Sequence, residues 1–195
     1  MPGSRNIYLT ILQSPRTVFN IPSLMALSGN YDRESLVKSL YYYRRKGLLI
    51  SPRSGLYAKP GYNPLELAGS IFSNSYVSLQ TVLAQAGVVF QYSDRITLVC
   101  ELSRELIVDG KTFLYRRIKP ELWGAMNGIL QKPGYFIATP ERALLDTMYL
   151  YPDIRYFDNP SKLDFERIAE LSAEYKNTNF EKRVLSWIKT STCSL

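Results

Sequence analysis

The chain has 195 residues, 46% of them hydrophobic, and a formal net charge of +7. That is enough length and apolar content for one large or two small domains. No apolar run approaches a membrane span, no apolar h-region follows the first six residues, and histidine is absent, which excludes Ser-His-Asp and Cys-His nucleophilic sites, histidine zinc sites and histidine acid–base catalysis.

Two cysteines, Cys100 and Cys193, lie far apart. Neither a disulfide nor a thiolate metal site is expected, and the expected home is a reducing cytoplasm. There is no Walker A run and no Gly-x-Gly-x-x-Gly, so the common phosphate-cradling loops are absent as motifs. No cofactor or metal is expected. A carboxylate or lysine enzyme is not excluded, but no residue pattern argues for one.

The first helix is expected over residues 5–13, capped by Ser4 and ended by Ser14-Pro15, because a residue before proline avoids helical backbone. Thr17-Val18-Phe19 reads as a short extended piece. Residues 21–28 form a short helix with Pro22 in its first turn, and Gly29 and Asn30 end it. Asp32 caps the next helix and Gly47 stops it. Strands are expected at 48–51 and 56–59, joined by Pro52-Arg53-Ser54-Gly55. A helix-turn-helix followed by a β-hairpin is the winged-helix plan for holding double-stranded DNA.

The decisive feature is the face of the helix that Asp32 caps, the second of the helix-turn-helix. With Leu40 at zero and about 100° per residue, Leu36, Val37 and Tyr43 fall within about 60° of it and would pack on the first helices. Lys38, Tyr42, Ser35 and Arg45 point the opposite way, with Ser39, Lys46 and Glu34 on the flanks. These are donors and cations suited to phosphates and base edges. Glu34 either reads a cytosine amino group or serves the helix N-terminus, and Arg44 falls near the apolar side as a backing residue. An ordinary amphipathic helix gives the same wheel; the turn before it and the hairpin after it favour DNA. The expected interface is Ser35, Lys38, Ser39 and Tyr42 in the major groove and Arg33 and Arg45 near its entrance and exit. Arg53 at the wing tip would reach phosphate or the adjacent minor groove.

Charge placement agrees. Through Tyr62 there are nine basic and two acidic residues, and from Asn63 onward fifteen of each, so the whole excess of +7 sits in the first segment. The junction Tyr62-Asn63-Pro64 divides a 1–62 DNA-binding domain from a 63–195 domain.

The second part reads as mixed α+β. A helix over 64–72 precedes a turn at 73–75, extended Tyr76-Val77, and a helix capped by Ser78 that runs to about Ala86 and ends at Gly87. Strands follow at 88–92, 96–101 and 105–108, the last joined by Asp109-Gly110, a strong hairpin signal, to 113–118. A short strand at 135–138 leads to a helix capped by Thr139, opened by Pro140 and running to about Leu150. Helices over 165–175 and 180–189 have Asp164 and Asn179 as caps. Thr139, Glu141, Arg142 and Asp146 form either a polar site on one helix or a helix start with its supports, and the second reading is favoured. Arg116 and Arg117 alternate to opposite faces, so only one can join Lys119 in a patch.

The chain resembles the antitoxin and transcriptional regulator (AbiEi) of AbiE-type, type IV, toxin–antitoxin systems. The resemblance rests on Arg45-Lys46-Gly47-Leu48-Leu49 with Gly55-Leu56-Tyr57, on Tyr76-Val77-Ser78-Leu79, and on Ala138-Thr139-Pro140-Glu141-Arg142-Ala143-Leu144-Leu145-Asp146. It spans nearly the whole chain and implies a repressor of its own operon that binds inverted repeats. It also implies a C-terminal domain that opposes a nucleotidyltransferase-like toxin without forming a stable complex. No segment reads as a dimerisation coiled coil, so two monomers meeting on DNA are expected. Two other readings are an antitoxin that masks its toxin directly and a metal-dependent enzyme acting on nucleic acid.

Overall fold

A computed structural model describes residues 6–192 apart from 30, 31 and 92. The fold is mixed α+β. It begins with α1 (Ile7–Gln13), β1 (Val18–Asn20), α2 (Ile21–Ser28), α3 (Arg33–Arg45), β2 (Ile50–Arg53) and β3 (Leu56–Ala58). The cap of α1 is Asn6, whose side chain accepts from the Tyr8 amide; Ser4, expected in that role, lies outside the described residues, as does Asn30. Asn20 and Ser23 cap the start of α2 reciprocally, and Gly29 ends it at φ +67°, a backbone region that costs glycine nothing.

The three strands form an antiparallel sheet in the order β1-β3-β2. Strand β2 starts two residues later than expected, because the amides of Leu48 and Leu49 turn back to the Tyr43 carbonyl and close the end of α3. It also extends further, to Arg53, which lies opposite Leu56 in the ladder. Arg53 is therefore a strand residue, and Ser54-Gly55 form the turn.

The body continues with α4 (Pro64–Ile71), β4 (Ser75–Val77), α5 (Gln80–Gln85), β5 (Arg95–Cys100), β6 (Arg104–Val108), β7 (Lys111–Arg117), α6 (Pro120–Trp123), β8 (Ile129–Lys132) and β9 (Tyr135–Ala138). It ends with α7 (Pro140–Leu150), α8 (Phe165–Ala173) and α9 (Thr178–Thr192). One sheet runs β6-β7-β5-β4-β9-β8, with β4–β9 and β5–β7 parallel and the other pairs antiparallel. Asp109 (φ +51°) and Gly110 (φ +71°) both take left-handed backbone, the geometry of a tight two-residue hairpin.

Three expectations are corrected here. Residues 88–91 are not a strand: the Val88 amide returns to Leu83, the Val88 carbonyl accepts from Asn159, and the Phe90 amide donates to Asp158, so their backbone groups are committed to a loop. Ser78 does not cap a helix; α5 starts after Leu79, and the Ser78 hydroxyl donates to Asp146. Asn177, not Asn179, serves the start of α9 by accepting from the Phe180 amide. Strand β8 and helix α6 were not expected at all.

The small sheet is buried on both faces. Phe19 packs with Ile7, Ile11, Leu24, Leu36, Leu40 and Leu49 on the helical side. Val18, Leu56 and Ala58, one step out of phase, join the body's core with Tyr62, Leu67, Phe113 and Tyr115. Each fully buried large apolar side chain contributes about 1.5–3 kcal/mol. Among the described residues no helix is long and apolar enough to cross a membrane.

Candidate nucleic-acid interface

Helix α3 is fixed at both ends and along one stripe. Asp32 accepts the Ser35 amide at 2.9 Å, and the Ser35 hydroxyl and amide hold its carboxyl below the ordinary aspartate value. Leu36 and Leu40 are fully buried. Tyr43 is half-buried, stacks on Tyr8 at 4.9 Å and donates its hydroxyl to Asn6 at 2.8 Å, which ties α3 to α1.

The contact stripe is narrower than the helical wheel suggests. Val37, expected inside, is 36% exposed, and Arg44, expected as a backing residue, is exposed too. Among the described residues of α3, Leu36, Leu40 and Tyr43 reach the apolar cluster beneath it, so the packed stripe lies on the Leu36–Tyr43 side of Leu40, and Val37 and Arg44, on its other side, meet solvent.

The exposed side of α3 brings six of the seven expected interface residues onto one element. Arg33, Ser35, Lys38, Tyr42 and Arg45 are exposed, and Ser39 is half-exposed with its hydroxyl donating to the Ser35 carbonyl at 2.9 Å. Lys38 Nζ lies 2.6 Å from Glu34 Oε1, with both side chains about three-quarters exposed. Arg53 is exposed on β2 rather than on α3.

Tyr41, which the wheel did not select, is as exposed as Tyr42, at 54% against 55%. The Arg45 guanidinium sits 6.0 Å from the Tyr41 ring and the Lys46 ammonium 5.9 Å from the Tyr42 ring. Both are i,i+4 pairs, so the signal was in the spacing. They place two cation-bearing aromatic faces side by side on the last turns of α3, suited to phosphate and base contacts.

The polar residues on α7 have a different character. Arg142 and Asp146 are buried and lie 3.1 Å apart. Asp146 accepts from Tyr76 (3.0 Å), Ser78 (2.8 Å) and Tyr175 (2.6 Å). Arg142 donates to the carbonyls of Leu122, Ala125 and Asn127. Burial pushes both phenols well above the ordinary tyrosine value, and the Asp146 charge adds to it. Burial works against the Arg142 charge, but Asp146 and the two phenols more than offset it and raise its pKa. Every member has partners, so the cluster joins β4, α6, α7 and the segments that follow α6 and α8 as a structural lock. Arg116 donates to the Tyr151 hydroxyl, while Arg117 is exposed on the other face. Among the described residues no three Cys, Asp or Glu side chains are grouped as a metal site would need.

No family model matches the chain, and no curated protein does. Among solved structures the fold is similar to that of the RV2827C protein from Mycobacterium tuberculosis. The TM-score is 0.50 at 14% sequence identity, covering 95% of this chain and 76% of that one. A likeness at this identity concerns the mixed α+β fold alone.

Proposed function

We propose that this chain is a winged-helix, sequence-specific double-stranded DNA-binding repressor, and the antitoxin of an AbiE-type operon that it autoregulates from the cytoplasm. One observation carries the reading: the exposed face of α3 gathers Arg33, Lys38, Tyr42 and Arg45 on the segment that holds the entire +7 excess. The mechanism is binding, without catalysis. Helix α3 enters the major groove with Ser35, Lys38, Ser39 and Tyr42 toward base edges, and Arg33 and Arg45 meet phosphates where the groove opens and closes. Arg53 on β2 meets phosphate or the neighbouring minor groove. Tyr43 and the two buried leucines hold the helix at a fixed angle, so little ordering is left to the moment of binding.

Two copies on an inverted repeat would double the contacts without a stable dimer in solution. The body would oppose a nucleotidyltransferase-like toxin, with no stable complex between them. A reporter driven by the DNA upstream of this gene tests the repressor reading: wild type lowers expression and Lys38→Ala restores it. Equal expression with and without the chain contradicts it.

A second reading, direct masking of the toxin, is favoured by one feature of the body. Phe90 and Tyr156, 70% and 79% exposed, both line a cavity of about 500 Å³, and exposed apolar surface of this kind is what a protein partner covers. Co-purification with the neighbouring toxin, lost in Phe90→Ala, would support it.

A further inference from the structure

The groove between the small sheet and the β8–β9 hairpin has the chemistry of a ligand site. It encloses about 630 Å³ and is lined from both sides of the chain, by Arg16 and Asn20 before α2 and by Ser70, Ser73, Lys132 and Tyr135 from the body. That volume lies within the range of small-molecule sites.

Two cations, Arg16 and Lys132, line the groove, and among the described residues no carboxylate does. The acid that packs behind it, against Gly134, is Glu66. Its Oε2 is already taken by the amides of Thr17 and Val18. Among the described residues the lining thus carries two positive side chains and no negative one, with the Glu66 carboxylate behind it.

Arg16 is half-buried at the groove wall, and its guanidinium is held 5.7 Å from the Phe19 ring. A guanidinium fork matches the oxygens of a phosphate. Ser70 and Ser73 add hydroxyl donors on the same wall, and the half-buried Tyr135 ring adds a stacking face. The chain packs closely at the floor, since a Cβ at Gly69 would meet Tyr135 Cβ at 3.0 Å.

From this set we infer that the groove binds a nucleotide, with its phosphates on Arg16 and Lys132 and its base against Tyr135. The site is separate from the exposed face of α3 and does not depend on the DNA-binding reading. Because it is lined by both segments, an occupant touches the DNA-binding side and the body at once.

Calorimetric titration of the full chain with ATP and with pyrophosphate tests it, alongside Arg16→Gln and Lys132→Gln. Lys132 is exposed, so its variant folds even if the Arg16 variant does not. Wild type binds both probes, and each folded variant weakens binding by about tenfold or more, the loss expected of one charge-assisted contact. The same proteins titrated with a 20-base-pair duplex separate the two sources of phosphate. Failure of both probes to bind wild type at about 5 mM overturns the inference. So does a Lys132→Gln defect confined to duplex binding, which would assign the groove to the DNA backbone.

Discussion

Glu66 Oε2 accepts the amide proton of Val18 at 3.0 Å and that of Thr17 at 2.6 Å, so the helix that opens the body holds the first strand of the basic segment. Tyr62 repeats the link from the other side, donating its hydroxyl to Asp109 at 2.7 Å. With Val18, Leu56 and Ala58 in the body's core, the helix proposed to read DNA stands on a sheet that is part of the body's packing.

Glu66→Ala is therefore expected to destabilise the whole chain. Two amides lose their acceptor at a cost of about 1–3 kcal/mol each, which at this chain length lowers Tm by roughly 5–15 °C. The measurement is calorimetric unfolding, and the expected result is one transition moved down. Two separate transitions in the wild type would contradict the shared core.

Asp146→Ala strands the buried Arg142 charge and takes the acceptor from three hydroxyls. Breaking a buried pair from one side costs about 3–5 kcal/mol, so denaturant titration is expected to show a large fall in midpoint. Replacing both Arg142 and Asp146 by apolar residues of similar volume is expected to cost less than Asp146→Ala alone.

Tyr76 and Tyr175 give the molecule an alkaline limit. Their pKa values are raised in the folded state, so above about pH 10 the unfolded chain releases protons that the folded chain keeps. Stability is therefore full below pH 10 and falls as pH rises from there. Stability measured between pH 8 and 11.5 is expected to drop more steeply for the wild type than for Tyr175→Phe.

The Glu34–Lys38 pair sets a prediction with a sign. Glu34 neutralises Lys38 at 2.6 Å and also repels phosphate. Glu34→Ala is thus expected to tighten binding to random-sequence duplex and to steepen its salt dependence. Unchanged random-duplex affinity would place the pair away from DNA.

Features set by neighbours in sequence were legible before the structure. Pro22, Thr139 with Pro140, and Asp109-Gly110 each fix local backbone, and α2, α7 and the β6–β7 turn fall where they indicate. Features set by distant partners were not. Ser78 looks like a cap until Asp146, 68 residues away, claims its hydroxyl. Val88 and Val89 look like a strand until Asn159 and Asp158 claim the backbone of their loop. Strand β8 has one half-buried residue followed by three exposed ones, so it carries no alternation to detect. On α3 the wheel separated Tyr42 from Tyr43 correctly, but it overestimated the width of the packed stripe at Val37 and Arg44. The Arg16–Lys132 groove joins residues more than a hundred positions apart and had no local signature.

The central claim is that α3 reads DNA, and a fluorescence-anisotropy titration tests it most directly. The probes are a duplex from upstream of this gene and a scrambled duplex, at two salt concentrations, with wild type, Lys38→Ala and Arg53→Ala. The account predicts tight, steeply salt-dependent binding of wild type to the upstream duplex and weak binding to the scramble. Each variant should bind more weakly, with a salt slope lower by about one. Equal, weak binding of wild type to both duplexes, or variants with unchanged affinity and slope, would contradict it.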